Sequence, residues 1–112
     1  MNLEKKDYID ILNYYGLNVN YKDTYNILKK KVENIIAKKM CSCINKVDNR
    51  INYKPYSIAI CNNSVVQKKN LKINGFTCKK KKKLKYDKNN NALKKNSKHL
   101  TLKIKKYKKN KK

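Results

Sequence analysis

The sequence predicts a mainly α-helical protein. A small helical core, two N-terminal helices plus short elements, occupies residues 1–78, and a disordered basic tail occupies residues 79–112. Three observations carry this reading. Apolar residues recur at helical spacing in two N-terminal stretches. The large apolar side chains concentrate before residue 79, leaving the tail only Leu84, Leu93, Leu100, Leu102 and Ile104, too few to offset the entropy of ordering it. The charge is lopsided: 14 Lys and Arg face 6 acids up to Cys78, and then 17 lysines face Asp87 alone. A segment of like charge repels itself and is most often an interaction tail.

The elements follow in order. In "EKKDYIDILNYY", residues 4–15, Tyr8, Ile11, Leu12 and Tyr15 share one helical face. Glu4, Asp7 and Asp10 lie early, where the helix dipole favours negative charge, and Gly16 supplies a stop. Asp23 then reads as the N-cap of a long helix over roughly residues 24–46. Tyr25, Leu28, Val32, Ile35, Ile36, Cys43 and Val47 keep its period near 3.6, while Lys29, Lys30, Lys31, Lys38 and Lys39 face away. "DNRINYK" is a loop. After Pro55, "YSIAIC" alternates like a strand, yet proline also suits a helix start, and short helices are favoured, one of them capped by Ser64. Asn74 and Gly75 signal a turn.

The stretches "ILKKKVENIIAKKMCSCINKV" and "IAICNNSVVQKKNLKINGFTCKKKKKLK" resemble small basic proteins of nucleocytoplasmic large DNA viruses, of the mimivirus and phycodnavirus kind. The group pattern is a helix ending in a Cys-x-Cys step, an "AIC…SV…KKGL" segment, and an F-x-C-K element before a basic tail. Asn70 stands where that pattern has glycine, and asparagine also tolerates the left-handed conformation. The resemblance covers about residues 8–85. It implies a viral protein, but no established activity and no catalytic residue.

The four cysteines are Cys41, Cys43, Cys61 and Cys78. A core of this size buries only roughly 60% of its unfolded surface and needs a metal, a disulfide or a partner. One structural zinc ion held by all four thiolates would serve. A physical objection stands against it. On a continuous helix, side chains at 41 and 43 diverge by about 200°, so the zinc site requires the helix to end near Met40. The alternatives are plain thiols, with Cys43 in the core and Cys41 at the surface, or disulfides in one of three connectivities. The N-terminus does not read as a signal peptide and no apolar run is long enough to span a membrane. Host cytoplasm or a viral factory, with a virion as a further destination, is therefore expected. In a reducing cytosol thiols or metal ligands are the default.

Enzymatic chemistry has little to stand on. The lone histidine, His99, lies among lysines, the acids are scattered singly, and the chain has two glycines and no phosphate loop. The charge points to a polyanion instead. Lysine and asparagine make up 48 of 112 residues, and both have A- and T-rich codons. Glutamate codons are also A-rich, yet glutamate occurs only at Glu4 and Glu33, so codon drift alone does not explain the charge. The expected ligand is the phosphate backbone of DNA or RNA. The candidate contacts are Lys79, Lys80, Lys81, Lys82, Lys83, Lys85, Lys94, Lys95, Lys103, Lys105, Lys106 and Lys108. With 30 lysines and one arginine, bidentate base reading is disfavoured and binding should be non-sequence-specific, suited to condensing or packaging a genome. Tyr53, Tyr56, Tyr86 and Tyr107, in basic surroundings, are candidates for stacking on bases. The alternative is an interaction module whose cysteine core docks on an acidic viral partner, such as a capsid or transcription component. Anionic membrane surfaces are a third class of ligand for such a tail.

Overall fold

The computed structural model of the protein describes residues 2–51, 54–78, 81–86 and 91–102. Among these, three helices dominate. Helix α1 (Lys5–Tyr14) forms on the predicted face, with Tyr8, Ile11 and Leu12 buried. Its start is held by Asp7, whose Oδ2 accepts the Glu4 backbone N–H at 2.8 Å. Its end is a Schellman motif: Gly16 adopts φ +72°, its N–H reaches the Asn13 carbonyl at 3.0 Å, and Leu17 N–H reaches the Leu12 carbonyl at 2.9 Å.

Helix α2 (Tyr25–Ile51) is the longest element, at 27 residues. It is capped by Thr24, whose Oγ1 accepts the Ile27 N–H at 3.3 Å. The predicted cap, Asp23, instead pairs with Lys31 at 2.7 Å. Leu28, Val32, Ile36, Met40 and Ile44 are buried against α1 and the elements that follow. The helix does not stop at the cysteines. "CSC" contains no glycine or proline to break the hydrogen-bond ladder, and both cysteines are helical.

Helix α3 (Lys54–Cys61) follows, with Pro55 in its first turn, where a missing N–H is tolerated. It continues as one π-helical turn (Asn62–Val66) and one 3-10 turn (Gln67–Lys69). Ser64 lies inside the π turn and caps nothing. The helical path ends at Asn70, in the left-handed region at φ 63°. The Ser57 hydroxyl donates to Asp48 and so joins α3 to the end of α2.

Four short strands complete the fold. Strand β1 (Leu71–Ile73) pairs antiparallel with β4 (Leu93–Lys95), and β2 (Phe76–Thr77) with β3 (Lys83–Leu84). Two of these strands lie beyond Cys78, in the segment expected to be a flexible arm. That expectation is corrected for the described residues 81–86 and 91–102. Leu84, Ala92 and Leu93 enter the same core as α1 and α2. Segment 96–101 is held by the Asn96 N–H on the Asn70 carbonyl (2.7 Å) and the Thr101 N–H on the Lys69 carbonyl (3.1 Å). The leucines too sparse to fold alone are ordered because the helical core offers them a surface. Residues 79–80, 87–90 and 103–112 of the expected arm lie outside the described residues. The mainly α-helical class holds.

Candidate nucleic-acid interface

The continuous α2 decides what the cysteines can do. Cys41 and Cys43 leave the helix in diverging directions, and each meets a different partner. Cys41 is bonded to Cys78 and Cys43 to Cys61, both with Cα atoms 5.8 Å apart. The four-thiolate zinc site at Cys41, Cys43, Cys61 and Cys78 is therefore corrected: these sulfurs are paired two and two, and a disulfide sulfur is not a thiolate donor. The stabilisation that a small core lacks comes from these two cross-links.

The Cys41–Cys78 bond ties the end of β2 to α2. Strands β2 and β3 form an antiparallel hairpin, and the disulfide pins it to α2 at Cys78, the residue that follows β2. The hairpin's return strand reaches α2 again two turns earlier. There the Tyr86 hydroxyl donates to Glu33 Oε1 at 2.8 Å, and Lys29 Nζ lies 5.9 Å over the Tyr86 ring. Lys81, Lys82, Lys83 and Lys85 are all exposed.

Successive residues on a helix are rotated by about 100°. Glu33 stands about 80° from Cys41 toward the core, with Lys30 about 20° to that same side, while Asn34, Lys38 and Lys31 fall within about 80° on the solvent side. Cys41 thus marks the border between the buried arc of α2 and its outer face. The hairpin it holds runs beside an outer face that presents Lys31 and Lys38, with Lys30 at the border itself, all exposed.

The acids are turned to internal use. Asp7, Asp23, Glu33 and Asp48 each face a partner of the same chain: Lys95, Lys31, Tyr86 and Ser57. Glu33 is buried, and its Oε2 has no hydrogen-bond partner. Burial pushes its carboxyl above the usual range, against the opposing pull of the Tyr86 hydrogen bond, Lys29 and Lys30. The same hydrogen bond raises the Tyr86 phenol.

The predicted lysines divide three ways. Lys81, Lys82, Lys83 and Lys85 lie together on the hairpin. Lys94 is half-buried on β4, directly opposite Lys72. Lys95 is corrected as a phosphate contact: it is 8% exposed and its Nζ is 2.7 Å from Asp7 Oδ2. Lys79, Lys80, Lys103, Lys105, Lys106 and Lys108 lie outside the described residues, as do Tyr53 and Tyr107. Tyr56 and Tyr86 are exposed, the latter with its hydroxyl tied to Glu33. Tyr21, at 66% the most exposed large hydrophobic among the described residues, is not singled out by the sequence because it sits in an aperiodic linker. The sequence also placed Lys29 facing away, whereas it is half-buried over Tyr86.

No protein-family model, no curated protein and no solved structure matches this chain. Among the described residues, no helix is long and apolar enough to cross a membrane.

Proposed function

We propose that the protein binds the phosphate backbone of nucleic acid without strong sequence preference, through the lysine hairpin and the outer face of α2. The observation that carries this reading is the hairpin itself. A disulfide at Cys78 ties to α2 a hairpin that exposes Lys81, Lys82, Lys83 and Lys85 beside a basic helix face, while four acids are engaged within the chain. Cations with no other task repel one another, and a polyanion relieves that repulsion and gains counterion release. Lysine serves as a point charge for phosphate and reads base edges poorly. Phosphate binding that does not depend on sequence suits a role in condensing or packaging a genome. Two disulfides favour an oxidising setting, so a virion fits this reading better than a reducing cytoplasm.

The test is a salt titration of binding to unrelated duplexes, using the full-length oxidised chain and a variant with Lys81, Lys82, Lys83 and Lys85 changed to alanine. Each phosphate contact contributes about 0.9 to the slope of log K against log salt. The variant should lose roughly 2 to 4 units of slope, and the duplexes should differ in affinity by less than about tenfold. An unchanged slope, or one sharply preferred sequence, rejects the reading. Absence of duplex binding together with capture of an acidic protein by the same lysines would favour the docking-module alternative.

A further inference from the structure

On the far side of the outer face of α2 from the hairpin lies an open groove of about 350 Å³. Leu12, Leu17 and Ile35 give it an apolar floor, Asn18 and Asn34 supply amides, and Lys31 and Lys38 stand at its edge. Its position follows from local structure. The Schellman turn at Gly16 carries Leu17 and Asn18 back over Leu12, and Leu17 remains 40% exposed. On α2, Lys31, Asn34, Ile35 and Lys38 follow i, i+3, i+4, i+7 spacing, so all four share one stripe. An apolar residue thus stands between two lysines on a face that is otherwise polar.

We propose that this groove receives an unpaired base of a single strand whose phosphates lie on the neighbouring lysines. The proposal rests on the phosphate-binding reading, because the lysines are what bring a strand to the groove. A base has an apolar face and an edge of alternating donors and acceptors. The floor of Leu17 and Ile35 covers the former. An asparagine amide offers both a donor and an acceptor to the latter, and among the described residues no side chain takes up either amide. The flanking phosphates require cations on both sides, as Lys31 and Lys38 provide. Lys31 is also paired with Asp23, but the lysine side chain remains 46% exposed. A duplex keeps its bases stacked inside and cannot fill the groove, so the site distinguishes single from double strands.

The experiment compares a twelve-residue oligothymidylate with an abasic deoxyribose-phosphate strand of the same length and charge, at one salt concentration, on the wild-type protein. Burial of the apolar face of a base against Leu17 and Ile35 should make the intact strand bind about tenfold tighter. In the Asn18→Ala, Asn34→Ala double variant that ratio should fall toward one while the salt slope stays unchanged. Both positions are exposed, so the fold is not at risk. Equal binding of the two strands by wild type overturns the groove and leaves the phosphate reading standing. Loss of affinity for both strands alike in the double variant also overturns it. Failure of either strand to bind wild type at all overturns both.

Discussion

Lys95 Nζ donates to Asp7 Oδ2 at 2.7 Å, across 88 residues of sequence. The pair joins the first turn of α1 to the last strand, and both side chains are largely shielded, at 8% and 13% exposure. Asp7 uses the same oxygen to cap α1. One carboxylate therefore serves both the start of the first helix and the closure of the C-terminal segment on the core.

Removing one member of a buried ion pair leaves the other charge unsatisfied, at a cost of about 3–5 kcal/mol. Lys95→Ala should therefore destabilise the protein strongly in a denaturant titration. Lys98→Ala, an exposed neighbour, should change stability by less than about 0.5 kcal/mol. A chain ending at Cys78 should lose cooperative unfolding, since it lacks Leu84, Leu93 and Lys95. Equal stability of the two point variants would remove the pair from any structural role.

The two disulfides have separable consequences. Closing loops of 37 and 18 residues corresponds to about 3–4 kcal/mol each on the chain-entropy account. Replacing Cys41 and Cys78 by serine should also free the β2–β3 hairpin from α2, so trypsin should cut at Lys81, Lys82 or Lys83 earlier than in wild type. Replacing Cys43 and Cys61 should loosen α3 and leave that cleavage slow. Cleavage at the same rate in both variants would show that Cys41–Cys78 does not hold the hairpin.

Glu33 sets a pH dependence whose sign can be derived. Its carboxyl is raised in the folded protein, chiefly by burial, so between the ordinary carboxylate value and the raised one the native state holds a proton that the unfolded chain has released. Stability contributed by this group is thus full at acid pH and declines as pH rises through that window. Glu33→Gln keeps an acceptor for the Tyr86 hydroxyl and cannot ionise. Its unfolding free energy should fall less with rising pH than that of wild type, as measured by denaturant titrations from pH 4 to about pH 7. Parallel curves would mean that Glu33 titrates normally.

Asn70 does two things that glycine and alanine separate. It holds φ 63°, and its Nδ2 donates to the Thr101 hydroxyl at 2.8 Å and the His99 carbonyl at 3.2 Å. Asn70→Gly should keep the turn but loosen segment 99–101, visible as faster amide exchange there. Asn70→Ala should add backbone strain of about 1 kcal/mol in global stability. Unchanged exchange in the glycine variant would show that the side chain contributes nothing to holding the segment.

What the sequence by itself determined is local. The period of Tyr8, Ile11 and Leu12 and of Leu28, Val32 and Ile36 specified two helices and their buried faces, and Gly16 specified where the first one ends. Each signal lies within a few residues of its effect. The rotation of about 100° per residue also disfavoured a single metal shared by Cys41 and Cys43 on an unbroken helix. The tertiary structure decided the rest. Strands of two or three residues are too short to show alternation, so β1 to β4 have no local signature. Disulfide partners are chosen by which Cα atoms approach within about 6 Å, a distance set by packing between elements. Lys94 and Lys95 look alike in a lysine-rich segment. One lies on the outer face of β4 and the other is buried, because adjacent residues on a strand point to opposite faces and only the inner one finds Asp7.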